Sequence, residues 1–467
     1  MYVYVIMAAR CSHVTRTIGT KINEIASAAL PLCLVVALCG CQGLVSPTEP
    51  KANLQSVNHI IFMVQENRSF DTYFGHLSAY WQANGFPAQA LDGMPASASN
   101  PSFDGTSTVN SYHIKTVCIE NLSPSWNEGH VDWNRQDPTS SVVTSDGFVF
   151  TAAKYAQNPP PEDAPITDTA GARAMGFYDG SDLNYYYFMA SNFATSDRWF
   201  SPVLTRTQPN RLFLLAATST GLVYPPTTTL TNKTIFELLQ NAGISWKIYV
   251  TDPGATYITN FQPFASQHMA NVVPASQYLT DVQNGTLPSV AMIEGGYNSG
   301  LDEHPKNNVQ TGAAHVASLI NALMKSPSWK DSVFILTYDE AGGLYDHVAP
   351  MTAVSPDGIR PSDLQAGDIC TGAAGGANCD FTVSGYRVPL IVVSPFTKKN
   401  FVSHTPADYT AISKFIETRF NLPSLTRRDA AQMDMTEFFD FQNVPWATPP
   451  SPPAQNTSGV CNAQVLQ

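Results

Sequence analysis

The chain has 467 residues, of which 13% are charged and 11% aromatic, with 34 prolines and a formal net charge of −12. A chain of this length buries a sizeable core, as one large α/β body or two smaller ones, and its composition excludes an intrinsically disordered protein. The acidic balance and the lack of a basic run exclude a nucleic-acid-binding protein.

The N-terminus reads as an export signal. Arg10, Arg16 and Lys21 precede an apolar stretch from Ile25 to Leu38 that is too short to span a bilayer comfortably. It ends Leu38-Cys39-Gly40-Cys41, which resembles a bacterial lipoprotein cleavage box with Cys41 as the lipidated first residue. An ordinary signal peptide with a coincidental cysteine is the alternative, and Met7 is an alternative start. The expected organisation is a signal peptide over 1–40, a tether over 41–55, a catalytic body over 56–445 and a Pro-rich tail, an extended strap, over 446–467. The expected location is extracytoplasmic, with a membrane surface reached through a lipid anchor at Cys41. Export permits disulfides. Cys370 and Cys379 bracket a Gly/Ala-rich loop and are expected to pair; Cys118 with Cys461 stays open, because four cysteines allow three pairings.

Along the body, apolar runs predict strands at His59–Val64, Ser245–Val250, Ser289–Ile293, Val333–Thr337 and Val388–Val393. Helices are predicted at Asn184–Asn192, Arg211–Thr218, Thr234–Ala242, Ala313–Met324 and Ala407–Phe420. Strands alternating with helices imply a mostly parallel sheet covered on both faces. The irregular stretch 76–172 is longer than an ordinary loop.

Two of the strands end in oxygen donors. His59–Val64 runs through Gln65 into Glu66-Asn67, and Val333–Thr337 runs through Tyr338 into Asp339-Glu340. Groups just past the carboxyl ends of strands in an α/β sheet face the ligand crevice. Glu66, Asn67, Asp339 and Glu340 are therefore candidate ligands of one hard divalent cation of unknown identity. Thr207, in Thr205-Arg206-Thr207-Gln208-Pro209-Asn210-Arg211, opens an apolar helical segment whose free N–H groups suit a phosphate. It reads either as a nucleophile activated by the same cation or as a plain helix cap. His130, His304 and His347 each lie in polar, acid-rich segments suited to charge neutralisation and proton donation in phosphoryl transfer, or to structural hydrogen bonding. Asp346 and His347 read equally as props for the Gly342-Gly343 loop.

Glu66-Asn67-Arg68-Ser69-Phe70-Asp71, Thr207-Gln208-Pro209-Asn210-Arg211, Asp302-Glu303-His304-Pro305 and the run from Tyr338 to His347 occur in this order. Together they resemble the bacterial phosphoesterase family of non-hemolytic-type phospholipases C and related acid phosphatases, over roughly residues 57–441. The resemblance implies an alkaline-phosphatase-like α/β/α sandwich with a mostly parallel central sheet and long loop insertions. It implies a metal-bound Ser or Thr nucleophile that is transiently phosphorylated. Carried over by position, Glu66, Asn67, Thr207, Asp339 and Glu340 would bind the metal. Thr207 would be the nucleophile, with His304 or His130 as the proton donor. Asn210, Arg211 and His347 would contact substrate. Three positions depart from the family pattern: Pro124 and Tyr409 stand where family members often have His, and Thr205-Arg206 replaces a Gly-Pro. The expected activity is a phospholipase C type hydrolysis of phospholipids. The alternatives are an acid phosphatase acting on small phosphate esters and, outside enzymology, a binding lipoprotein.

Overall fold

The computed structural model describes residues 52–254, 256–372 and 375–467. The expected signal peptide, Cys41 and most of the tether lie outside the described residues.

Eight strands form one sheet: β1 (His59–Gln65), β2 (Ala194–Ser196), β3 (Trp246–Val250), β4 (Val272–Pro274), β5 (Val290–Glu294), β6 (Ser332–Tyr338), β7 (Leu390–Val393) and β8 (Phe401–Ser403). Their spatial order is β8-β2-β7-β6-β1-β5-β3-β4. Only β7 runs against its neighbours; every other pairing is parallel. The central strands are buried at nearly every position instead of alternating, the pattern of a sheet covered on both faces. Helices α1 (Phe70–Phe74), α2 (Trp126–Trp133), α3 (Asn184–Asn192), α4 (Thr207–Ala216), α5 (Ile235–Asn241), α6 (Ala275–Asn284), α7 (Val309–Met324) and α8 (Ala411–Phe420) accompany it. The helices α3, α6 and α7 pack together, as do α4, α5 and α8, so two helical groups flank the sheet. The expected α/β architecture is the one that forms. Among the described residues, no helix is long and apolar enough to cross a membrane.

The stretch 76–172, expected to be irregular, holds three helices, Leu77–Asn84, α2 and Phe148–Gln157. Helix α6 and the short strands β2, β4 and β8 were not expected either, and further differences lie at element ends. Helix α4 starts four residues early, at Thr207, because Asn210 holds the preceding loop in shape. Asn308 starts α7 early by accepting from the N–H groups of Gln310 and Thr311. Residues Ala407 and Asp408 are not helical; they pair with Trp199 and Phe200, and the helix waits until Ala411. Both disulfides form, Cys370–Cys379 and Cys118–Cys461. The second fastens the tail, where Val460 bridges Thr116 and the Leu466 carbonyl accepts from the Lys115 N–H. The tail belongs to the same compact unit as the body.

On α8, Glu417 is buried against Asp429. Burial and then Asp429 push its carboxyl up to about 9. A carboxyl raised in the folded state favours folding fully below its unfolded value and loses that contribution as pH rises towards the folded one. Replacing Glu417 by Gln should therefore stabilise the chain progressively more between about pH 4.5 and pH 9. Melting curves across that range test this; wild-type and variant curves that stay parallel would contradict it.

Candidate active site

Strand register builds the site. Strands β6, β1 and β5 are adjacent, with Gln65 opposite Tyr338 and Val64 opposite Glu294. The residues that follow them must therefore emerge side by side. The Asp339 N–H donates to the Gln65 carbonyl at 3.0 Å, the Arg68 N–H to the Glu340 carbonyl at 3.0 Å, and the Glu66 N–H to the Asp302 carbonyl at 3.0 Å. Asn67 turns the chain with φ 58°, an αL conformation that Asn tolerates. A Cβ at Gly342 would lie 2.6 Å from that of Asn67, and Gly342 has φ 71°. No larger residue fits there.

Helix α4 points its first residue into this corner. The Thr207 hydroxyl lies 3.3 Å from Glu66 Oε2 and 3.2 Å from Glu340 Oε1. Arg211, one turn on, donates to Glu66 Oε1 at 2.7 Å and to the carbonyls of Val64 and Gln65, and its Nε is 3.4 Å from Asp339 Oδ2. Asp339 Oδ1 accepts from the Asn67 N–H at 3.1 Å. The structure thus gathers Glu66, Asn67, Thr207, Arg211, Asp339 and Glu340 at one point. Burial pulls the Glu66 carboxyl up, and Arg211 with His304 more than offsets this, so it stays ionised below its usual range. Asp339 and Glu340 are pushed well up, first by burial and then by neighbouring carboxylates.

Three buried oxygens of this group have no hydrogen-bond partner: Asn67 Oδ1, Asp339 Oδ2 and Glu340 Oε2. Buried polar atoms normally find partners. Unpaired amide and carboxylate oxygens at the ends of adjacent strands fit a hard, oxygen-preferring divalent cation. Two other groups hold acid and His atoms within 4.8 Å of one another: Asp71 with Asp346 and His347, and His113 with Asp179 and Asp182. The first is already neutralised by Arg387, at 2.9 Å from Asp71 and 2.8 Å from Asp346. The second is partly exposed and its closest pair is His113 with Asp182 at 2.7 Å. The cluster around Thr207 spreads wider than either, with Thr207 and Arg211 between its carboxylates, but its oxygens are the unpaired ones.

His304 is near. Its N–H and the Asn307 amide donate to Asp302 Oδ1, and burial lowers its pKa while the Glu66 charge opposes that. The other expected residues do different work. His130 is fully enclosed, with its ring nitrogens against the carbonyls of Trp126 and Asn378, and burial lowers it to about 4. It faces main chain and not the acidic group. The Asn210 amide is used up on the Val203 N–H and the carbonyls of Val203, Thr205 and Arg206; it shapes the loop before Thr207 and has no atom free for substrate. His347 lies in the separate Asp71–Arg387 network, bonded to Asp71 at 2.7 Å and Asp92 at 3.0 Å. Arg211 is engaged by carboxylates and carbonyls inside the site.

Sequence reasoning missed the wall of the site. A cavity of about 430 Å³ opens beside Glu66 and Asp302, lined by Arg211, Tyr257, Glu294 and Tyr297 among others. Nothing local to Tyr257 or Glu294 marks them; the segment after β3 brings Tyr257 here, and Glu294 is the end of β5. The departures from the family pattern are absorbed locally. Tyr409 donates its hydroxyl to the Asp339 carbonyl at 3.1 Å, and Pro124 lines a small cavity beside Glu340.

A model of the Phosphoesterase family matches residues 57–423, a span from just before β1 to just past α8 that contains every residue of this site. The chain belongs to the Phosphoesterase family. Phospholipase C B of Mycobacterium tuberculosis is 30% identical over 449 residues, covering 86% of this chain and 80% of that protein. Non-specific phospholipase C4 of Arabidopsis thaliana is 28% identical over 434 residues, covering 83% and 72%. A solved structure of a protein in the alkaline phosphatase superfamily from Vibrio parahaemolyticus is similar at a TM-score of 0.33, with 12% identity over 77% of this chain and 78% of that one. As a member of the Phosphoesterase family this chain is a phosphoric ester hydrolase.

If the unpaired oxygens hold a divalent cation, a chelator-treated sample should melt at a higher temperature when Ca²⁺, Mg²⁺, Mn²⁺ or Fe²⁺ is added. At a concentration 100 times its Kd, the ion adds about 2.7 kcal/mol. Asp339→Asn together with Asn67→Ala should erase the rise. A melting temperature indifferent to all four ions would count against the site.

Proposed function

We propose that this chain is an extracytoplasmic, metal-dependent phosphoesterase of the phospholipase C type that works through a phosphothreonine at Thr207. The observation that carries this reading is the Thr207 hydroxyl, held at the head of α4 between Glu66 and Glu340 with unpaired oxygens beside it. The names of the relatives support the substrate class, phospholipids. The cavity supports a diester over a monoester, because Tyr257, Tyr297, Pro225 and Pro226 offer walls to a second substituent on phosphorus. Two disulfides support an oxidising compartment.

A divalent cation held by Glu66, Asn67, Asp339 and Glu340 would supply Lewis-acid polarisation and lower the cost of an alkoxide. The residues do the rest. The Thr207 Oγ–H proton passes to a neighbouring carboxylate, Glu66 or Glu340, as Oγ bonds to phosphorus and the bond to the leaving alcohol breaks. The first-turn N–H groups of α4 face the anion. Protonated His304 gives its proton to the departing oxygen; the negative charge of a bound phosphate favours that protonated form. Neutral His304 then takes a proton from water as the water oxygen attacks phosphorus. The Thr207 oxygen leaves and recovers its proton from the carboxylate.

Removing the Thr207 hydroxyl with Ala should abolish turnover while the fold survives. Thr207 is the first residue of α4 and not its cap, and even a lost cap costs only about 1 kcal/mol. Thr207→Ser should keep substantial activity, and acid-quenched enzyme should carry phosphate on residue 207. Folded Thr207→Ala turning over at the wild-type rate would sink the mechanism. Assays on phosphatidylcholine and on a chromogenic monoester decide the substrate class, and a preference for the monoester would favour an acid phosphatase.

His304→Ala should slow poor leaving groups more than an activated aryl ester, by about 10²–10⁴-fold. Equal losses on both substrates would make His304 a binding residue instead.

A further inference from the structure

Glu303 lies between Asp302 and His304 and is completely buried. Its carboxylate accepts four hydrogen bonds: from the hydroxyls of Tyr73 at 2.7 Å, Tyr338 at 2.7 Å and Tyr186 at 2.5 Å, and from the Gln65 amide at 3.2 Å. Its carbonyl accepts two more from the Arg68 guanidinium, at 3.0 and 2.5 Å. Its backbone is held at φ 70°, a conformation that a non-glycine residue adopts only when its surroundings impose it. A Cβ on Gly312 would come within 2.3 Å of the Glu303 side chain, so α7 packs directly against it.

The donors are not a random set. Gln65 immediately precedes Glu66, Arg68 immediately follows Asn67, and Tyr338 immediately precedes Asp339. Side chains alternate at strand ends. Gln65 and Tyr338 turn to Glu303, and Glu66 and Asp339 are left for the acidic group. Tyr73 and Tyr186 bring α1 and α3 to the same carboxylate.

We propose that Glu303 is a positioning residue. One buried carboxylate bolts the ends of β1 and β6 to the loop carrying Asp302 and His304, and so fixes the spacing of the oxygens that would hold the cation. The inference rests on the metal-dependent reading given above. Groups that orient metal ligands without touching the metal are typically worth about 10–100-fold in affinity or activity.

The test uses the full chain after chelator treatment, titrated calorimetrically with Mn²⁺ and, separately, Ca²⁺, beside kcat and KM on phosphatidylcholine. Glu303→Gln keeps the shape but turns an NH₂ towards hydroxyl donors. It should weaken ion affinity about 10–100-fold and lower kcat with little change in KM. Tyr338→Phe removes one donor and should move both quantities the same way by less. Val282→Ala, a buried residue of α6, is a packing control that should lower the melting temperature and leave ion affinity and kcat unchanged. A folded Glu303→Gln with wild-type affinity and kcat would overturn the inference. So would a Val282→Ala that weakens ion binding as much for the same loss of melting temperature. Where Glu303→Gln does not fold, Tyr338→Phe decides, and unchanged affinity and kcat overturn the inference. Wild-type protein that binds neither ion removes the metal-dependent reading and this inference with it; wild-type binding matched by the variants removes this inference alone.

Discussion

Carboxylates packed together out of water are the constraint around which this molecule is built. Glu66, Asp302, Asp339 and Glu340 are all buried, and the guanidinium paired within the group, Arg211, reaches only Glu66 and Asp339. An uncompensated buried ion costs several kcal/mol. Arg211 pairs with Glu66 Oε1 and lies 3.4 Å from Asp339 Oδ2 in a geometry that makes no hydrogen bond, and Glu340 Oε2 likewise carries none. With all four carboxylates ionised, the corner would hold more negative charge than Arg211 balances. It must keep protons there, as the upward shifts of Asp339 and Glu340 describe, or accept a positive ion. A bound cation, as proposed above, would relieve that imbalance.

Loop contacts fasten this region in addition to the sheet. The segment 115–122 is bound on one side to the tail, through the Cys118–Cys461 disulfide and the Thr116–Val460 bridge. On the other side its Ile119 and Val117 carbonyls accept from the N–H groups of Lys306 and Val309, just past His304 and at the head of α7. The tail thus reaches the loop carrying His304 through this segment, and its Gly459 N–H also donates to Gln310 on α7. A disulfide across 343 residues of sequence restricts the unfolded chain strongly in loop-entropy terms.

How much of this was legible in the sequence depends on where each residue's partners come from. The strands β1 and β6 were legible because an apolar run stopping at paired polar residues is a local signal, and strand adjacency then carried Glu66, Asn67, Asp339 and Glu340 to one place. The start of α4 was nearly legible from Pro209, but its first turn depends on the Asn210 amide reaching back to the loop. The structure places His130, Asn210 and His347 away from the acidic group, and for one reason the sequence did not show it. A polar residue in a polar stretch looks reactive, and only the fold shows that Trp126, Asn378, Val203 or Asp71 already occupies its atoms. Glu303 was passed over for the opposite reason: its partners are tyrosines from three separate elements, and no spacing in the chain announces them.

The density of the Glu66–Asp71 motif has a physical explanation. Glu66 and Asn67 offer oxygens to the acidic corner, and Arg68 turns the other way to the Glu303 carbonyl. Ser69 caps α1 by accepting from Thr72 and donates to the Tyr345 carbonyl. Phe70 lies in the core under the Arg387 guanidinium, and Asp71 accepts from Arg387 and His347. Six consecutive residues therefore serve the acidic corner, the tyrosine cage around Glu303, a helix start and a second buried charge network. These sites share one stretch of backbone, five peptide units from Glu66 to Asp71, with the αL turn at Asn67 between them. The Asp71–Arg387 network is then best understood as an anchor at the far end of the segment whose near end supplies the site's oxygens. His347 holds Asp71 and Asp92 there, which accounts for its place in the motif.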